Sequence, residues 1–182
     1  MQRHCFTPLE MGGPPLPLPP SPRSRMASVL ESSELHLHQG DVHASLMDWV
    51  DYVTLARLQF GAASLQVVRA LFHIGTLRLQ MRQYPLALEK FAEAAAVAQA
   101  LHADASSGGG GAAADEIGGQ LALVLEGLGV VCTKLKRWDD AASHLDRALE
   151  LSRDNPSTTA LVARAELHCA RMEYVWRVMC DV

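Results

Sequence analysis

A chain of 182 residues that is 49% apolar but only 5% aromatic suits one domain with tails, its core made largely of alanine and leucine as helix-on-helix packing favours. A net charge of −4, a pI near 6.0 and only three lysines, Lys90, Lys134 and Lys136, exclude the clustered basic surface that nucleic acid requires. No run of about 18 uncharged apolar residues occurs, so no membrane span is expected. The richest stretch, Ile117 to Cys132, is broken by Glu126.

The N-terminus lacks the apolar stretch of a signal peptide. Cys5, Cys132, Cys169 and Cys180 lie far apart without paired spacing, the pattern of reduced thiols in an intracellular protein. Cys132 and Cys169 fall on apolar helical faces and read as small core residues. Residues 1–25 read as a disordered, proline-rich tail. Pro14, Pro17 and Pro20 stand three apart, the ridge of a polyproline II helix, but no arginine sits where it would orient such a ligand. Ser21-Pro22 is a minimal proline-directed phosphorylation site.

Helical periodicity then sets in. A first pair of helices is expected over 26–39 and 41–59, a second over 65–82 and 84–103, and a third over 117–136 and 138–153. Residues 104–116, with Ser106-Ser107-Gly108 through Ala114-Asp115, read as a flexible Gly/Ala-rich loop inserted between the second and third pairs. Asn155-Pro156-Ser157 stops one helix and caps the next. The segment 157–182 is expected to form a capping helix. Leu161, Ala165, Cys169, Met172, Trp176 and Met179 would be its inner stripe, with Arg164, Arg171 and Arg177 turned outward.

Two of the pairs are near copies. Leu71, Ile74, Gly75, Tyr84, Ala87, Phe91 and Ala94 recur as Leu125, Leu128, Gly129, Trp138, Ala141, Leu145 and Ala148 at matching separations. Small residues fall where two helices must touch and bulky ones between them. A weaker first unit fits from Met26, with Gly40-Asp41 at its turn and Ser33, Ser45 and Tyr52 in place of small apolar residues. A fixed period of this size marks a stacked array rather than a globule around an enzymatic cleft.

The pattern resembles the tetratricopeptide repeat (TPR). The resemblance implies an all-α solenoid of helix-turn-helix units over residues 26–156, about three repeats, closed by the C-terminal capping helix. Numbered from Val68 and Ala122, Gly75, Ala87 and Ala94, then Gly129, Ala141 and Ala148, take the family's small-residue positions. The spacing from Met26 to Val68 is similar to the repeats of kinesin light chains, with Phe60-Gly61 and Val67-Val68 at the matching joint. Leu55-Ala56-Arg57, Phe60-Gly61, Ala70-Leu71 and Ile74-Gly75 are similar to the tetratricopeptide repeat protein 23 family over residues 30 to 100. That implies a scaffold in a ciliary or microtubule-linked setting.

Such arrays hold peptides or helices on the concave face lined by the first helix of each repeat. The groove positions of the family correspond here to Arg69, Phe72, His73, Thr76, Leu79 and Gln80, and to Leu123, Glu126, Gly127, Val130, Thr133 and Lys134. In the first unit they are Leu30, Glu34, Leu37 and His38. The expected binding residues are Arg69, Phe72, His73, Thr76, Gln80, Glu126, Val130, Thr133 and Lys134, with Phe72 the main anchor because an aromatic offers area at low entropic cost. The carboxylate clamp of co-chaperone repeats is missing: Leu30, Glu34, His73, Leu123 and Gly127 hold its places. Phe72-His73 stands where kinesin light chains carry paired asparagines, which counts against the alternative of a motor cargo adaptor.

His36, His38, Asp41 and His43 form the one metal-like cluster. But His36 and His38, two apart on a helix, diverge, so a metal-binding enzyme or sensor is the remote alternative. Gly108 to Gly111 lacks the Lys-Ser or Lys-Thr of a phosphate loop, and no nucleophile set appears. The expectation is a non-catalytic scaffold without cofactor or bound metal. Its partners are proteins, not nucleic acid, and it sits in the cytoplasm at a cilium or the cytoskeleton. The apolar stripe running toward Val182 leaves room for self-association.

Overall fold

A computed structural model describes residues 21–107, 111–152 and 158–180, and these are all-helical, with no strand among them. Seven helices follow in order: α1 (Pro22–His38), α2 (Val42–Phe60), α3 (Leu65–Gln80), α4 (Tyr84–Ser107), α5 (Ala112–Lys134), α6 (Trp138–Leu151) and α7 (Thr158–Cys180). Each packs on its chain neighbour, and α3 also meets α5, as α5 meets α7. Contacts among the described helices thus join elements one or two apart in the chain.

Three turns, α1–α2, α3–α4 and α5–α6, share one geometry. Gly40, Arg82 and Lys136 each take positive φ, at 79°, 58° and 61°. In each turn that residue's N–H donates to the carbonyl three back (Leu37, Leu79, Thr133). The next N–H donates to the carbonyl five back (His36, Arg78, Cys132). This paired bonding is a Schellman motif, which satisfies the last carbonyls of a helix and turns the chain back. The motif recurs at residues 40, 82 and 136, the spacing already seen between the sequence units.

Inside each hairpin, small residues set the approach. A Cβ on Gly75 would stand 2.7 Å from the Phe91 ring and one on Gly129 would stand 2.5 Å from Leu145. Both partners, Phe91 and Leu145, are fully buried. The same ring atoms are approached from α5, since a Cβ on Gly127 would also stand 2.7 Å from Phe91. One aromatic of α4 therefore fills the seam between α3 and α5, and glycine on each helix makes room for that edge of its ring. The first hairpin solves the same problem differently. Ser33 and Ser45 are both buried and hydrogen bond to each other at 3.0 Å.

Four boundaries or faces differ from the sequence reading. First, α1 starts at Pro22, not at 26: Ser21 Oγ accepts the Ser24 N–H and proline suits the first helical turn. Second, the expected loop over 104–116 is mostly helix, because α4 runs to Ser107 and α5 starts at Ala112. Alanines 112–114 favour helix, Ala114 is buried, and Gly118 packs by His102. Third, α5 is long and apolar enough by composition to cross a membrane, although the sequence showed no uncharged run of that length; 56% of its most apolar stretch is buried in the fold.

The fourth difference concerns α7, whose expected inner stripe lies on the outside. Ala160, Ala163 and Leu167 are the buried residues. Arg164 pairs with Asp146 of α6 at 2.9 Å, and Arg171 lies 3.9 Å from Asp139. Tyr174 lies against Trp138, 5.9 Å between ring centres. With Ala160, Ala163 and Leu167 packed inward and Arg164 beside them, the stripe of Leu161, Ala165, Cys169, Met172, Trp176 and Met179 faces out, and Arg171 is exposed as well. Cys169 is accordingly exposed rather than a core residue, whereas Cys132 is buried. The proline-rich residues 1–20, the glycines 108–110 and the Asn155-Pro156-Ser157 stop lie outside the described residues.

Candidate functional site

The first helices of the second and third hairpins, α3 and α5, lie side by side and leave a shallow cleft of about 140 Å³. Its walls are Phe72, Thr76 and Leu79 from α3 and Leu123, Glu126, Gly127 and Val130 from α5. Helical spacing of three and four puts each set on one stripe. Phe91 forms part of the lining from below and Ala163 of α7 closes one side. Phe72 is half-buried, tilted against Phe91 with 5.7 Å between ring centres. Leu123 is 37% exposed, so both walls offer apolar area to a visitor.

Four of the nine expected binding residues meet here: Phe72, Thr76, Glu126 and Val130. Thr76 Oγ1 donates to the Phe72 carbonyl of its own helix at 3.0 Å, which leaves the hydroxyl oxygen as an acceptor toward the cleft. Glu126 is 6% exposed, a correction to its expected place on an open hydrogen-bonding surface. The arrival of α7 beside α5 closes that side of the helix.

The other five lie elsewhere. Arg69 reaches across to Glu116 of α5, Nη2 to Oε1 at 2.5 Å, and so ties α3 to α5. His73 stacks on Trp49 of α2 with 4.2 Å between ring centres and 16° between planes; the residue keeps an exposed edge, and desolvation of the stacked ring holds its pKa below the usual histidine value. Gln80 and Lys134 are exposed at the C-terminal ends of their helices. Thr133 Oγ1 donates to the Gly129 carbonyl. Leu79, Leu123 and Gly127 were mapped to the groove from the sequence. Phe91 and Ala163 were missed, because a residue on a second helix and one on the last helix carry no groove signature.

A second cleft, about 240 Å³, opens between α2 and α4 over another face of α3, lined by Val50, Thr54, Arg57, Arg78, Lys90 and Glu93 among others. Glu93 receives both Arg57 and Lys90, the latter at 3.0 Å, and Arg78 Nη1 donates to Gln83 at 2.7 Å. The Glu93 carboxylate raises the pKa of Lys90. These cations already have acceptors within the protein.

The histidine cluster comes apart. His36 Nδ1 lies 2.9 Å from Asp48 Oδ2 on α2, while His38 and His43 are exposed. Among the described residues, no three histidine, cysteine or acidic side chains gather as a metal would need. Cys132 is buried, and burial pushes its thiol pKa up, away from the thiolate form that reacts.

The α3–α5 cleft thus offers apolar walls, one hydroxyl acceptor, and a carboxylate set deep at the side. No family model matches this sequence, and a search of the curated proteins finds none similar to it.

Proposed function

We propose that the chain is a TPR-type helical-hairpin array acting as a non-catalytic scaffold, which holds an apolar side chain of a partner peptide or helix in the α3–α5 cleft. The observation that carries the reading is Phe72, a half-buried aromatic lining a cleft whose walls come from the first helices of two similar hairpins. Three turns of one geometry and the glycines at equivalent places support the repeat assignment. A cleft this small suits one or two side chains of a segment laid across it, the anchor arrangement by which amphipathic helices and extended peptides are read. The ciliary or cytoskeletal setting rests on the sequence resemblance alone.

The test is affinity capture from ciliated cells with the wild-type chain and with Phe72→Ala in parallel, followed by titration of the recovered partner segment against both. Removing a central aromatic anchor costs about 2 kcal/mol, roughly thirtyfold in Kd. A partner that binds the folded Phe72→Ala chain as tightly as the wild type overturns the cleft as its site.

A further inference from the structure

The outward face of α7 is ordered in a way that a solvated surface does not require. Val162, Ala165, Cys169, Met172, Trp176 and Met179 follow each other at alternating spacings of three and four, and all six are exposed. That alternation is a 3.5-residue period, the signature of a seam facing another helix. At the helix rise the seam is about 25 Å long. Met172, Trp176 and Met179 are 71%, 70% and 71% exposed, among the most exposed large apolar side chains in the molecule. The seam cannot roll inward, because Arg164 is held by Asp146 and Ala163 and Leu167 are buried on the far side.

We propose that this seam is a homodimer interface in which two copies of α7 pair antiparallel about a two-fold axis between Cys169 and Met172. The sizes along the seam carry the choice of occupant. In the antiparallel register Val162 meets Met179 of the second copy, Ala165 meets Trp176, and Cys169 meets Met172. Each layer sets a small residue against a large one, as close packing needs. A parallel pair would instead stack Trp176 on Trp176 and leave Ala165 facing Ala165. The seam holds no charge, so it accepts its own image without repulsion in the core. Val162, Met172, Trp176 and Met179, 56–71% exposed, offer together about 500 Å² of apolar seam per copy, so pairing buries about 1,000 Å², near the lower limit of specific interfaces. This surface is separate from the α3–α5 cleft, and the two proposals stand or fall apart.

The flanks supply the test. In the antiparallel register Glu166 of one copy lies beside Glu173 of the other, twice by symmetry. Sedimentation equilibrium of the full chain, from about 1 to 200 μM, is expected to show a dimer with Kd in the micromolar range. Trp176→Glu is expected to weaken it at least a hundredfold while helical content and melting stay unchanged, since Trp176 contacts little of its own chain. Glu173→Lys turns two repulsions into attractions and is expected to tighten the dimer several-fold, most at low salt. A wild-type chain that stays monomeric over this range overturns the proposal. So does a dimer indifferent to Trp176→Glu. Weakening by Glu173→Lys overturns the antiparallel register.

Discussion

Ser33 and Ser45 show how one contact geometry admits two chemistries. Equivalent places in the other hairpins hold Gly75 with Ala87 and Gly129 with Ala141, whereas the first hairpin buries two hydroxyls that satisfy each other. A buried hydroxyl without a partner costs about 1–3 kcal/mol, but removing both together is nearly neutral. Ser33→Ala and Ser45→Ala are therefore each expected to lower stability by about 1–2 kcal/mol, and the double variant by less than the sum. Urea melts of the four proteins of the cycle measure this, and additive losses would refute the mutual bond. The sequence made these serines legible as stand-ins for small residues. It did not disclose that they bond to each other, because the helix rotation that brings two hydroxyls to 3.0 Å is set by packing along the whole hairpin.

At the scale of elements, the three identical turns carry unequal strain. Gly40 enters the left-handed region freely, but Arg82 and Lys136 do so at φ of 58° and 61° with a Cβ to accommodate. That conformation costs an ordinary residue about 1–2 kcal/mol, offset in part by the chain entropy that glycine would lose. Arg82→Gly and Lys136→Gly are each expected to raise stability by roughly 0.5–1 kcal/mol, read as a higher melting temperature; a loss from either would mean its side chain contributes more than its backbone costs. Boundaries at this scale were legible where a turn signal was strong, as at Gly40-Asp41. They failed at 104–116, where composition suggested a loop but alanine propensity and the burial of Ala114 extended both helices. The faces of α7 failed because apolarity alone was taken to point inward. The narrower edge of Ala160, Ala163 and Leu167 is what packs on the neighbouring helices, with Arg164 paired to Asp146 beside it.

At the scale of the molecule, two histidines are expected to link stability to pH. His73 between α2 and α3, and His144 on α6, both have pKa values lowered from 6.5 by burial. The unfolded chain then takes up protons at a higher pH than the folded one. Stability is full above about pH 6.5 and falls as pH drops through the folded values. Denaturant midpoints between pH 8 and pH 5 are expected to decline, and His73→Gln to flatten the slope; an unchanged slope in that variant would exclude the stacked imidazole as a source. The all-helical class was legible from apolar period and composition. The cleft was half legible: its α3 and α5 walls follow from repeat positions, whereas Phe91 and Ala163 enter from helices that only the assembled stack brings near.

The ring of Phe91, approached by both Gly75 and Gly127, ties together three positions that are far apart in the chain. None of the three can vary alone: a methyl at either glycine demands a smaller residue at 91, and a smaller residue at 91 opens a void that two larger ones could fill. In any divergent form of this chain these sites should drift as a set, so their joint pattern would identify a distant cousin better than any one of them.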